Sequence, residues 1–509
     1  MSVEPIDIGP SHAIAAPRPG TPLPRSLLLV VLVCTALLFG WAAAQGQIAV
    51  LLAMTIAVGL FGICLYRSEV GIFVFMSTMM LTYPDILQGV GPLTINNLLG
   101  VFYSLLLLTQ VYRSRDTWFM RANEVRIFIM LGGLFLFSTA LAEIQLPDLQ
   151  HQFLWAEENR FDVAGYMAAK DYTVPWMGDF MTRVAFLIFF INFITTRRHV
   201  WWVLVVLLGC IFIAVPPALY DYIVYGGGEE SRVSGKLMSI KGWTGNANRF
   251  AFMCLLGICL MFYFIHLSRR TSIKILLLVG VIMLVTLVLL AASRSGFIGL
   301  VLLGIWLFIR GGAMRRSGLR LGVALLAISA ALTFTTLAPD DVQERLLNLN
   351  PLNPEGEGTH STEKRTATIR QSINIFTDHP WFGIGLGNFR WVNLWYHFNN
   401  KPPHNSYLWA LAEGGLFCLL LYLACFGMMI RRLNRIRKDY LDDPVLPHVG
   451  ELITAYLLLF LFFSLFADVW LIEIHIYLLA GLCIVLSRLT SNRRRRVWDA
   501  SASPISSII

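Results

Sequence analysis

Ile275-Leu-Leu-Leu-Val-Gly-Val-Ile-Met-Leu-Val-Thr-Leu-Val-Leu-Leu-Ala-Ala292, followed at once by Ser293-Arg294-Ser295-Gly296, is the stretch on which the fold turns. The run is uncharged and approaches the ~20 residues that a bilayer-spanning helix needs. A second apolar run begins at about residue 296, so only a very short polar turn separates two hydrophobic segments. Such a turn holds Arg294 at the depth of the lipid headgroups.

Working outward, the same pattern recurs along the chain. Its 509 residues are 56% hydrophobic and only 14% charged, with a mean hydropathy of +0.65. A water-soluble core has no use for so many long apolar runs, so the expected class is all-α, a polytopic membrane helical bundle. Apolar runs mark spans near 26–43, 47–65, 69–83, 93–112, 126–142, 180–196, 200–220, 248–266, 274–292, 296–310, 319–337, 404–430, 452–466 and 469–487. That is about 14 transmembrane helices by length and composition.

Charge orients them. With a cytoplasmic N-terminus and alternating spans, Arg197-Arg198, Arg269-Arg270, Arg315-Arg316, Arg431-Arg432 and Arg493–Arg496 all fall on the inner side. The outer segments are acidic on balance, which is the positive-inside pattern, and both termini are expected in the cytoplasm. The net charge of +9 is therefore a topology signal, and no nucleic-acid partner follows from it.

The organisation expected is a disordered cytoplasmic tail over 1–25, an N-terminal transmembrane bundle of about 11 spans over 26–337, a large helical periplasmic loop over 338–403, C-terminal transmembrane helices over 404–487, and a basic cytoplasmic tail over 488–509. The inner connections are short and the outer ones at 143–179, 221–247 and 338–403 are long, which puts the working face outside. In the large loop, Asp340–Leu349 and Glu363–Phe376 read as helices, the second with Ala367, Ile369, Ile373 and Phe376 at mixed helical spacing. All eight cysteines lie inside expected spans as small apolar fillers, and none has metal-ligand spacing.

Chemistry concentrates at Pro402-Pro403-His404-Asn405-Ser406-Tyr407-Leu408, which runs on to Ala412-Glu413-Gly414-Gly415. The prolines stop a helix from entering from the N-terminal side, so one begins at about His404 or Asn405. Its positive end then faces the membrane surface and favours a bound anion. A neutral imidazole there can accept a proton; position alone equally allows a purely structural hydrogen bond. Glu413, nine residues on, faces the opposite side of that helix and is expected to pair with another span, since a lone charge at that depth is costly. Gly414-Gly415 lets a neighbouring helix come close.

Before this helix, Asp378-His379-Pro380-Trp381-Phe382-Gly383-Ile384-Gly385-Leu386-Gly387-Asn388-Phe389 reads as a tight turn. No strand precedes its glycines and no helix opens on them, so the expectation is close backbone approach, not a nucleotide site. Arg249, Arg294, Arg365 and Arg370 stand at outer edges or in the outer loop although topology drives arginine inward. Guanidinium forks suit phosphate oxygens, and pyrophosphate in particular. For any single arginine, snorkelling or ion pairing is the simpler explanation; the set beside His404 is harder to dismiss. The first outer segment, Ala44–Gln47, has no acidic pair, no outer segment offers a clear DxD with supporting ligands, and no Ser nucleophile motif, P-loop or HExxH occurs, so neither metal nor organic cofactor is implied.

The segments Asp378-His379-Pro380 to Gly383–Phe389 and His404–Leu408 to Glu413-Gly414-Gly415, with Ser293–Gly296 and Gly245–Arg249, resemble the O-antigen ligase and polysaccharide polymerase superfamily of bacterial inner membranes. The resemblance runs through most of the second half of the chain. It implies a donor glycan linked through pyrophosphate to undecaprenol, and a sugar hydroxyl acceptor on the periplasmic side, either lipid A core or a growing glycan. The site it implies has His404 activating or orienting the hydroxyl, Arg294, Arg365, Arg370 and Arg249 holding pyrophosphate, and Asn405 and Glu413 in support. Cys418 stands where the ligase pattern usually has Gly, Thr or Tyr. Ligase, repeat-unit polymerase and protein O-oligosaccharyltransferase all stay open on these grounds. A lipid-linked glycan transporter would instead spread charge through the membrane, and here only Glu413, Asp468 and Glu473 sit in or beside apolar spans.

Overall fold

The computed structural model describes residues 67–80, 95–114, 122–145, 173–213, 215–216, 247–291, 293–310, 359–389, 392, 403–439, 446–466 and 473–502. The helices named among them are α1 (Ser68–Met80), α2 (Ile95–Ser114), α3 (Asn123–Gln145), α4 (Thr173–Phe193), α5 (Arg197–Ile213), α6 (Ala247–Leu267), α7 (Thr271–Leu290), α8 (Arg294–Arg310), α9 (Thr359–Asp378), α10 (Ser406–Asp439), α11 (Leu446–Phe463) and α12 (Ile474–Ala502). The chain forms two compact units, Met1–Val74 and Phe75–Ile509. In the first, the described residues 67–74 hold the start of α1; α2 to α12 belong to the second.

Six segments among the described residues are long and apolar enough to cross a membrane: Asn123–Leu141, Trp176–Phe193, Asn248–Leu267, Thr271–Leu290, Ser406–Lys438 and Ile474–Ser491. Shorter apolar helices occur at Ser68–Met80, Leu99–Thr109, Arg294–Leu307 and His448–Phe463. Each expected span that reaches the described residues falls at least partly on a helix. The spans expected at 26–43, 47–65 and 319–337, and the helix expected over Asp340–Leu349, lie outside them. The chain is thus a multi-helix membrane protein, while the number of about 14 spans is not established.

Two helices form the centre of the second unit. α6 packs against α5, α7, α8 and α11, while α12 packs against α4, α10 and α11. Within a bilayer the lipid is as apolar as leucine, so association depends on close fit, and small residues at the crossings supply it. A Cβ on Gly257 of α6 would lie 2.6 Å from Leu284 of α7, and one on Gly296 of α8 would lie 2.6 Å from Ala251 of α6. On α12, a Cβ on Gly481 would lie 2.6 Å from Phe190 of α4. Cys210, Cys254, Cys259, Cys418, Cys425 and Cys483 are buried free thiols, as expected for apolar fillers.

At the end that the charge pattern assigns to the cytoplasm, arginines tie helices together. Arg432 of α10 forks onto the fully buried Glu124 of α3, with Nε 2.7 Å from Oε1 and Nη2 2.9 Å from Oε2. Arg488 of α12 donates to the carbonyls of Ile191 and Ile194, at 2.8 and 2.6 Å. It thereby satisfies acceptors that the end of α4 leaves without helical partners. Beyond this level α12 stays helical through Arg493–Arg496 to Ala502, into the segment expected to be a tail.

Candidate active site

The opposite end is built around the start of α10. Its first helical residue is Ser406, one or two positions later than expected. Asn405 is the cap: its Oδ1 accepts the backbone N–H groups of Tyr407 and Leu408, both at 3.0 Å. That is the standard way to satisfy amides that a helix start leaves without carbonyl partners. His404, just outside, has φ 51, the one positive value found outside glycine among the described residues. Left-handed backbone is sparsely populated by residues with a Cβ, although histidine tolerates it better than most. The chain therefore turns sharply at the imidazole-bearing residue, between the prolines and the helix.

Three consecutive carbonyls beyond the end of α11 collect donors from this region. Ser406 N–H donates to Ser464 O at 2.8 Å, and Asn405 Nδ2 to Leu465 O at 3.3 Å. Asn248 Nδ2, from the first turn of α6, donates to Phe466 O at 3.1 Å. Asn248 Oδ1 in turn accepts from Ser293 Oγ at 2.7 Å, and Ser293 Oγ caps α8 by accepting the Gly296 N–H at 3.0 Å. The three sequence motifs around Arg249, Arg294 and His404 are thereby joined through one turn, Ser464–Phe466. The starts of α6, α8 and α10 meet at one end of the bundle.

The three helix starts share one electrostatic feature. None of α6, α8 and α10 has an acidic residue in its first turn, where acids are normally favoured. α8 opens with Arg294 and α6 carries Arg249 in its first turn, both half-buried. Cations at the positive ends of helices oppose the peptide dipoles, and an anion bound between them relieves that conflict. Arg249 Nη1 also lies 3.0 Å from Oε1 of Glu473, the residue directly before α12.

Glu413 belongs to a different device. α10 is interrupted at Gly415, with φ 66 and ψ −166. The carbonyls of Ala412 and Glu413 that the interruption frees accept the amides of Ile384 and Gly385, at 3.1 and 2.8 Å, and Leu416 N–H donates to Pro380 O at 2.8 Å. The glycine-rich turn and Glu413-Gly414-Gly415 are two halves of one backbone joint. Gly383, Gly385, Gly387 and Gly415 all have positive φ, and a Cβ on Gly383 would sit 2.5 Å from Ala412 O. Ser138 of α3 donates to the Phe382 carbonyl, which ties α3 into the same joint. The close approach expected of these glycines is present: at Gly414 helix α3 comes near through Phe135, and at Gly415 it is the glycine-rich turn, through Trp381, that does so. The fully buried Glu413 carboxylate accepts the Phe389 N–H at 3.2 Å. This contact ties the Glu413 side chain, as well as its carbonyl, to the glycine-rich turn.

Arg365 and Arg370 are carried by a different helix, α9. Both are exposed on α9, which packs on α10. The buried side of α9 is Thr368, Gln371, Ser372 and Ile375, a helical stripe, whereas Ile369 and Ile373, expected as part of its apolar pattern, are exposed. No group of three or more His, Cys, Asp or Glu side chains able to hold a metal ion occurs among the described residues.

Sequence reasoning missed the Ser464–Phe466 turn, which acts through carbonyls that every residue type carries. It also missed what Glu473 does, although an acid next to an apolar span was the available signal.

Residues 279–423 match the family model described as O-Antigen ligase. The matched segment contains Arg294, Arg365, Arg370, His404, Asn405 and Glu413, and excludes Arg249 and Glu473. The search of curated proteins returned no match for the chain. Over residues 279–423 the chain is thus similar to the O-antigen ligase family.

Proposed function

We propose that the chain is a glycosyltransferase of the O-antigen ligase type, moving a saccharide from undecaprenyl pyrophosphate to a sugar hydroxyl at the periplasmic face of the bacterial inner membrane. The family match supports ligase- or polymerase-type transfer in general. The observation that carries the finer reading is the convergence of three helix starts that lack first-turn acids, two of them bearing arginine, at the turn that also anchors His404. Two negative charges on a pyrophosphate fit this end of the bundle, where peptide dipoles and guanidinium groups both favour an anion.

In this reading Arg249 and Arg294 hold the pyrophosphate, with Arg365 and Arg370 as outer donor contacts on α9. His404 accepts the proton of the acceptor hydroxyl as its oxygen attacks the anomeric carbon. The bond from that carbon to the pyrophosphate oxygen breaks, and undecaprenyl pyrophosphate departs with its charge held by the arginines. One displacement of this kind inverts the anomeric centre. Asn405 fixes the backbone that presents His404, and Glu413 holds the glycine joint. The arginines do the work that a divalent cation does in other glycosyltransferases, so no metal or other cofactor is assigned.

The test is transfer by purified protein in lipid nanodiscs, with a defined undecaprenyl-pyrophosphate glycan and three separate acceptors: lipid A core, a growing glycan and a serine-containing protein. Transfer to one of them that persists in chelator supports the reading, and the acceptor used separates ligase, polymerase and protein glycosylation. Movement of the intact lipid-linked glycan across the bilayer without transfer favours a transporter. Loss of transfer on chelation contradicts the arginine assignment.

A further inference from the structure

Glu473 touches the proposed donor site, yet the mechanism above leaves it unused. It lies directly before α12 and is 8% exposed, and its carboxylate Oε1 is 3.0 Å from Nη1 of Arg249. Two residues on, His475 is buried and its Nδ1 is hydrogen bonded to the Tyr456 hydroxyl of α11. This contact fixes the start of α12, and with it Glu473, against the helix that ends at the Ser464–Phe466 turn.

Arg249 occupies the first turn of α6, where the dipole disfavours a cation. A guanidinium presents five N–H donors in a rigid planar fork, so a carboxylate on one edge determines where the other donors point. Glu473 is buried and Arg249 half-buried, so water screens the contact less than it would at an open surface.

We infer that Glu473 is a positioning residue for donor binding: it holds the Arg249 guanidinium in the orientation that receives a polyprenyl-linked pyrophosphate. The inference rests on the donor site proposed above. It differs from a stabilising ion pair in one respect. A pair that only stabilises works with its charges exchanged between the two positions, whereas a pyrophosphate site needs the cation on α6.

The experiment uses the full chain in nanodiscs, with undecaprenyl pyrophosphate as probe and undecaprenol as its uncharged counterpart. Wild type is compared with Glu473→Gln, Arg249→Glu, and Arg249→Glu combined with Glu473→Arg, by lipid affinity and by melting temperature. Glu473→Gln is expected to bind undecaprenyl pyrophosphate about tenfold more weakly, the order for losing one charged hydrogen bond, with undecaprenol unaffected. The exchanged pair is expected to recover the melting temperature lost in Arg249→Glu but not the affinity. Wild-type affinity in Glu473→Gln, or recovery of both properties on exchange, overturns this inference alone. A wild-type protein that does not distinguish the two lipids overturns the donor site together with it. Should Glu473→Gln fail to insert, Glu473→Asp carries the same comparison, with reduced affinity expected and unchanged affinity overturning the inference.

Discussion

The amide of Gly385 donates to the carbonyl of Glu413 at 2.8 Å, across the point where α10 breaks. A membrane helix can be interrupted only if its freed backbone groups find partners inside the protein. Here the glycine-rich turn supplies donors for Ala412 and Glu413 and an acceptor for Leu416. The turn fixes the geometry of α10 one side of the break, and the Asn405 cap fixes it at the start, so His404 is presented by a helix held at both places.

Gly415→Ala should break this joint. A Cβ there would collide with the Trp381 carbonyl, and the φ of 66 is unfavourable for alanine. A loss of about 3 kcal/mol is expected from strain and overpacking together. Gly427→Ala, in the same helix with open space around it, should be neutral or slightly stabilising. Thermal unfolding of the two proteins in one detergent checks the contrast.

Arg432→Ala should destabilise by roughly 3 kcal/mol, because it strands the carboxylate of Glu124, which is fully buried. Glu124 and Arg432 stand at the opposite end of α10 from His404. The transfer rate per folded molecule should therefore hold while the melting temperature drops, and paired activity and melting measurements check both.

Asn405 combines two jobs that one pair of substitutions separates. Asn405→Ala removes the cap and should cost about 1 kcal/mol of stability. Asn405→Asp keeps an oxygen to cap Tyr407 and Leu408 but loses the Nδ2 donor to Leu465. It should stay near wild type in melting temperature yet transfer more slowly, since the His404 turn is no longer tied to Ser464–Phe466. Equal transfer by Asn405→Asp and wild type would separate that tie from function.

Arg294→Lys should raise the donor KM by roughly tenfold, since an ammonium cannot form the planar two-point contact to phosphate. Arg365→Lys and Arg370→Lys, on the exposed face of α9, should raise it less. Steady-state kinetics with the donor varied distinguishes them.

Much of the bundle was legible because apolar run length and arginine placement report directly on membrane spans, as at Thr271–Leu290 and at Arg432. The glycine turn was legible as a site of close approach, but its partner was not: Gly414-Gly415 marks a place where something comes near without specifying what. The helix start was legible to within two residues from Pro402-Pro403, but the Asn405 cap was not singled out and comes from the structure. The Ser464–Phe466 turn was invisible because it works through main-chain oxygens. The packed face of α9 was not legible: Ala367, Ile369, Ile373 and Phe376 fall at mixed spacing and mark no single stripe, and the structure buries Thr368, Gln371, Ser372 and Ile375.

The central claim is that the imidazole of His404 takes the acceptor proton. Its most direct test is transfer by purified His404→Asn, since asparagine tolerates the left-handed backbone found at this position but is no base at neutral pH; His404→Ala serves beside it. The account predicts that both lose transfer by at least about 100-fold, with undecaprenyl pyrophosphate still bound and the melting temperature of His404→Asn unchanged. Transfer by His404→Asn at the wild-type rate would contradict it.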